Sequence, residues 1–278
     1  MLYLPSAPKS IQKGVPLKLV LGSEAVDCLA HNIFLVFPEF DKLSFRQAAL
    51  AGLEPLSIMQ RGRHLAKVLH HYLPEKYSNA VDILLSSLTP TNTETESLGL
   101  AVFFYLTHGF FISEYGIDPK YNEGEDPFEL SMNAQYELTK RFSAEFSIRP
   151  FLIQQQDRTL LKLLEWTSDP DPHVRRLCSE GTRSRLPWAQ QIPAFIADPT
   201  PTLQILELLK NDQSLYVRRS VANHLGDIAK NHPDLVFAIC ERWLIEASKE
   251  VKWLIRHALR HPAKKQNKIA LQLRATAK

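Results

Sequence analysis

The stretch TKRFSAEFSIRPF, residues 139–151, sets Arg141, Glu145 and Arg149 four residues apart. On one continuous helix that spacing puts a carboxylate between two guanidinium groups on a single face. Opposite charges that close favour the ionised acid. Glu145 would then suit stabilisation of a developing positive charge and would be a poor proton donor. The same spacing also describes a surface ion-pair ladder of little energetic value, and spacing taken alone favours that plainer reading.

A second set of charges recurs at longer range. SDPDPHVRRLCSEGTR (168–183) and KNDQSLYVRRSVANHLG (210–226) share an Asp followed by VRR, with Val174 and Val217 43 residues apart. EVKWLIRHAL (250–259) is a weaker third copy, its Val251 lying 34 residues after Val217. A helix, a tight Asp-containing turn and a helix opening on VR, repeated near every 40 residues, is the pattern of HEAT or armadillo repeats. Such repeats stack helix pairs into a right-handed α-α superhelix whose second helices line the concave face.

Arg175, Arg176, Arg218, Arg219, Lys252 and Arg256 would then share one inner surface as a basic groove suited to phosphates. Cations are mildly disfavoured at helix N-termini, so local helix stability does not explain the arginine pairs. Arg175 and Arg218 are as well suited to bonding the turn aspartate as to binding a ligand, which leaves Arg176 and Arg219 as the better ligand contacts. Between the copies, RSRLPWAQQIPAFIADPTP (183–201) interleaves Arg183 and Arg185 with Trp188, a combination that suits nucleic acid. Packing at a corner between repeats accounts for Trp188 slightly better. Trp166, Trp243 and Trp253 read as core.

These charges need a helical scaffold, and the chain reads as nearly all helical. Only 10 of its 278 residues are glycine, and the alternation expected of strands is missing. Apolar residues recur at threes and fours over Leu43–Leu53, Leu56–Tyr72, Ala80–Leu88 and Leu98–Ile112, between breaks such as Pro55, Pro74 and Pro90. Residues 90–97 and 118–127 read as loops. A helix is expected from about Glu129 to Ile148, ended by Pro150. The whole is expected to be one HEAT-like domain over residues 1–278, with an N-terminal extension (1–40) and a basic C-terminal tail (262–278).

Charge is unevenly spread. Residues 172–278 carry 18 Lys and Arg against 9 Asp and Glu, and residues 1–171 carry 15 against 21. Omitting the last five cations, near a frayed end, still leaves residues 172–263 at +4. A basic C-terminal part joined to an acidic N-terminal part suits a polyanionic partner. No run of apolar residues approaches a membrane span and no secretory leader is evident, so a cytoplasmic monomer is expected. Cys28, Cys178 and Cys240 are scattered, which implies buried thiols, and the histidines show no metal-ligand spacing. Neither a metal nor a cofactor is expected.

RFSAEFSIRPFL, DPDPHVRRLCSEGTRSRLPW, DPTPTLQILELLKND, SLYVRRSVANHLGDIAKNHPDL and WLIRHALR, in that order, resemble the AlkC-type DNA glycosylases of alkylation repair, within the HEAT-like-repeat DNA glycosylases. The likeness covers about residues 129–260 strongly and 40–115 more loosely. It implies removal of small cationic bases such as 3-methyladenine from duplex DNA without flipping the base out, unlike most glycosylases. Cleavage develops oxocarbenium character in the sugar, which an ionised carboxylate can stabilise.

On that basis Glu145 becomes the candidate catalytic acid, with Arg141 holding it. The candidate DNA contacts are Arg149, Arg176, Arg183, Arg185, Trp188, Arg219, Asn223, Lys252 and Arg256. The resemblance also implies a second acid on an upstream helix. Here the chain reads YLTHGFFISEYGID (105–118), with His108 at about that place and Glu114 the nearest acid. Some members carry a C-terminal immunoglobulin-like domain that grips DNA, whereas this chain ends soon after its last repeat, so weaker DNA binding is expected. The alternative is a non-catalytic HEAT-repeat module that binds DNA or protein through the same groove.

Overall fold

The computed structural model describes residues 1–96 and 98–278, so the last residue of the expected 90–97 loop lies outside the described residues. No strand occurs among the described residues, and the chain divides into two compact units, Met1–Ile148 and Arg149–Lys278.

The first unit contains α1 (Ser23–Val36), α2 (Lys42–Leu50), α3 (Ile58–Tyr72), α4 (Tyr77–Ser86), α5 (Leu106–Tyr115) and α6 (Phe128–Thr139). Helix starts follow local chemistry. Asp41 accepts from the backbone N–H groups of Leu43 and Ser44 ahead of α2, and Ser57 with Gln60 forms a capping box at α3. Residues 17–36 are, by length and composition, apolar enough to cross a bilayer, contrary to the sequence expectation. In the structure Leu21, Val26, Leu29 and Ile33 of this stretch are buried, and α1 packs on α2 and α4.

The helix expected over 129–148 stops early. α6 ends at Thr139 and residues 140–148 form turns. Three contacts hold this break. The Arg141 guanidinium donates to the Thr89 carbonyl, the Asn92 N–H donates to the Lys140 carbonyl at 2.9 Å, and Thr139 Oγ1 accepts from the Ala144 N–H. Pro150 sits inside the next helix rather than ending the previous one.

The second unit contains α7 (Arg149–Gln154), α8 (Gln156–Trp166), α9 (Pro172–Gly181), α10 (Pro193–Ala197), α11 (Thr200–Leu209), α12 (Leu215–Ile228), α13 (Pro233–Leu244), α14 (Lys249–Ala258), α15 (Arg260–Lys264) and α16 (Lys268–Thr276). α9, α12 and α14 pack side by side, with α8, α11 and α13 against them, which is the stacking of helix pairs expected from the VR repeat. Val217, Val221, Leu225 and Ile228 form the buried face of α12, as their spacing predicts.

The segment from 262 onward is ordered rather than frayed. α16 packs on α13 and α14, and Ala270, Leu273 and Ala277 are buried. Trp243 is core, its Nε1–H donating to Glu207 Oε2 at 2.7 Å, whereas Trp166 and Trp253 are only half-buried.

Candidate functional site

Because α6 ends at Thr139 and the next helix opens at Arg149, Arg141, Glu145 and Arg149 do not share one helix face. Arg141 Nη1 donates to Glu137 Oε2 at 3.0 Å and to the Glu137 carbonyl at 2.7 Å. Burial disfavours the Glu137 charge, but hydrogen bonds from Lys140 and Arg141 outweigh it and hold this carboxyl below its usual range.

Glu145 stands on the turn that follows, half-buried, its Oε2 accepting from Ser143 Oγ at 2.7 Å. Ser147 pins the far side of the turn by donating to Gln135 Oε1 at 2.6 Å. Beside the turn lies a small apolar pocket lined in part by Tyr105, Phe110, Phe142, Ser143 and Phe146. Ser143, two residues before Glu145, was not singled out from the sequence. Its only signal was a hydroxyl adjacent to a candidate acid.

His108 cannot stand in for an acid. It is buried beside the rings of Phe104 and Tyr105, neither ring nitrogen has a hydrogen-bond partner among the described residues, and burial pushes its pKa down to about 3. Unfolded, the imidazole titrates near 6.5. Stability is therefore complete above that pH and falls below it, because only the unfolded chain takes up the proton. The loss is about 1.4 kcal/mol per pH unit, continuing toward the folded-state value. His108→Leu is expected to make unfolding midpoints less sensitive to pH between 6.5 and 4 by about one proton. An unchanged pH dependence would mean that this ring is already charged in the fold. Glu114, the nearest acid, points to Arg63 at 3.9 Å with its side chain 40% exposed.

In the second unit two expected DNA contacts prove to be internal. Arg149 is 0% exposed, and its guanidinium donates to the carbonyls of Gly181 (3.0 Å), Arg183 (2.7 Å), Ser184 (3.4 Å) and Gln190. Arg183 is buried between Glu180 and Asp227, at 2.6 and 2.8 Å. Burial disfavours the Glu180 charge, yet Arg176 and Arg183 hold its carboxyl below the usual range. Arg176 is largely buried too, 3.4 Å from Glu180 and over the Tyr216 ring. Burying these charges is tolerable only because each is paired.

Arg175 serves the repeat itself. It grips Asp212 with two hydrogen bonds of 2.6 and 3.0 Å, tying α9 to the turn before α12. Arg218 donates to the Asp212 and Gln213 carbonyls.

The remaining candidates lie at the surface. Arg219 is exposed, Arg185 reaches Asn231 at 3.2 Å, and Asn223 accepts from Arg260 and His257. Lys252 and Arg256 donate to the carbonyls of Lys278 and Ala277. Trp188 is 61% exposed with φ +63°, which overturns the expectation that it packs a corner. A bulky residue in the left-handed region is strained, and no burial accompanies the strain here. Arg260 was not singled out, although it directly follows the third repeat copy and closes the stretch WLIRHALR. Its four-residue spacing from Arg256 was the available signal.

Stacked helix pairs with cations on consecutive second helices define the class, a HEAT-like-repeat protein. A family model described as "DNA alkylation repair enzyme" matches residues 142–262. The uncharacterized protein YhaZ of Bacillus subtilis (strain 168) is 36% identical over 258 residues, 92% of this chain and 67% of YhaZ. The structure of Pseudomonas fluorescens alkylpurine DNA glycosylase AlkC, bound to DNA containing an abasic site analog, matches with TM-score 0.82 and 38% identity, over 94% of this chain and 68% of that one. This chain belongs to the AlkC-type DNA alkylation repair glycosylases. It spans about two thirds of the length of these two relatives.

Proposed function

We propose that this chain binds duplex DNA and hydrolyses the N-glycosidic bond of small cationic N3-alkylated bases of the 3-methyladenine type, leaving the base in the stack. Alkylation makes the base cationic, so the bonding pair of the C1′–N bond departs with it and the base leaves neutral. The sugar becomes an oxocarbenium ion, water adds at C1′, and the proton that water loses passes to solvent. No acid is needed to protonate the leaving group. What is needed is a fixed negative charge beside the sugar.

The observation that carries this reading is the placement of Glu145. Its carboxylate is fixed by Ser143 on a turn that is itself held by the Ser147–Gln135 hydrogen bond. Arg141 supports the reading indirectly, by anchoring the start of the same turn to Thr89 and Glu137. The test is to incubate the protein with methylated duplex DNA and measure released bases by mass spectrometry. Release above spontaneous depurination is expected. Salt-dependent binding without release would replace this reading with the non-catalytic module.

Trp188 belongs to the same proposal as a stacking side chain. An exposed ring on a strained backbone contributes nothing evident to the fold, whereas a stacked ring contributes about 1–3 kcal/mol to binding. Trp188→Gly removes the ring and relieves the positive φ. DNA affinity is expected to fall by that amount, with thermal stability unchanged or raised. Unchanged affinity in a fluorescence anisotropy titration would remove Trp188 from the interface.

A further inference from the structure

Where α12 meets α14 and α15, positive charge converges. Arg219 on α12 is exposed and makes no hydrogen bond or ion pair among the described residues. One turn along the same helix, Asn223 Oδ1 accepts from Arg260 Nη2 at 2.9 Å and from His257 Nε2 at 3.2 Å. Arg260 is fixed a second time, Nη1 donating to the His257 carbonyl at 2.7 Å. The His257 ring in turn stacks on Trp253, with centroids 5.1 Å apart.

Burial, Arg260 and Arg219 together push the His257 pKa down to about 4, so at neutral pH the ring is an uncharged donor to Asn223. Asp227 is the carboxylate that acts on Arg260, and it is already engaged by Arg183 and Lys230. The cluster is thus over-supplied with positive charge. It also presents a fixed amide, because with Asn223 Oδ1 taken by two donors its Nδ2 remains to donate.

Two guanidinium groups and an amide, all donors and carrying two positive charges, suit an anion with two equivalent acceptor oxygens. A phosphodiester has that form. We propose that Arg219, Arg260 and Asn223 form one subsite for a single phosphodiester of the DNA backbone. The inference rests on the DNA-binding reading above and assigns to it a residue, Arg260, that was not among the expected DNA contacts. Asn223 and the His257–Trp253 stack position Arg260, and Arg219 approaches from the neighbouring helix.

The test is fluorescence anisotropy on an undamaged duplex across a series of NaCl concentrations, with wild type, Arg219→Ala, Arg260→Ala and the double variant. Both side chains are exposed, so unchanged circular dichroism is expected for all four. Each single substitution should weaken binding severalfold but reduce the slope of log affinity against log salt by less than about 0.9, because the remaining arginine still meets the phosphate. The double variant should lose about 0.9 in all, the value for one phosphate.

A double variant that loses twice the slope of one phosphate would place the arginines on separate phosphates and overturn the subsite. Wild-type behaviour of Arg260→Ala would overturn it equally, while leaving DNA binding intact. A wild-type protein that shows no salt-dependent binding would overturn the DNA-binding reading itself, and the subsite with it.

Discussion

Glu145→Gln is expected to lower release of 3-methyladenine from methylated duplex DNA by about 10²–10³-fold, the range for loss of one preorganised electrostatic group. The substitution changes charge and little else. The glutamine carbonyl can still accept from Ser143 Oγ, which now donates to Glu145 at 2.7 Å, so the turn keeps its shape. Binding to a duplex with an abasic analogue should be largely retained, because the lost interaction is made with charge that develops only during cleavage. Mass spectrometry of released base and anisotropy of the bound duplex separate the two effects. Equal release by variant and wild type would remove Glu145 from the chemistry. Weakened binding with unchanged turnover of bound DNA would make it a binding residue instead.

The repeat was legible because its signals are local. Val217, Val221, Leu225 and Ile228 declare the buried face of α12 by spacing alone, and the aspartate before each VRR declares the turn. The site was less legible because its geometry is set at long range. Nothing within 129–148 announces that the helix must stop, and the stop depends on Arg141 reaching Thr89, 52 residues away. Misplacing that end put three charged residues on one helix face that the fold does not form. The arginines were divided in the same way. Composition cannot separate Arg219, which faces solvent, from Arg183, which meets Asp227 across 44 residues of chain. The repeat left Arg175 evenly divided between the turn aspartate and a ligand, and the fold gives it to Asp212 of the next turn.

Arg149→Ala is expected to be among the most destabilising substitutions in the chain, at roughly 3–5 kcal/mol, because several buried carbonyl oxygens lose their donor at about 1–3 kcal/mol each. Its guanidinium collects the carbonyl of Gly181, the last residue of α9, and those of Arg183, Ser184 and Gln190 in the irregular segment that follows. The Ser184 carbonyl also accepts from the Ile192 N–H at 3.2 Å, but without Arg149 the carbonyls of Gly181, Arg183 and Gln190 lose this donor and must find water or stay unpaired. For a protein of this size the loss corresponds to a fall in the unfolding midpoint of about 10 °C. The consequence reaches function by a different route from that first expected of this residue. The segment Arg149 holds also carries Trp188, so the variant should lose the stacking contribution of that ring even where the unit stays folded. A phosphate contact would behave in the opposite way, keeping the midpoint and reducing the salt slope of binding by about 0.9. Thermal unfolding and a salt series on the same variant therefore decide between the two roles, and a retained midpoint with a reduced slope would return Arg149 to the DNA.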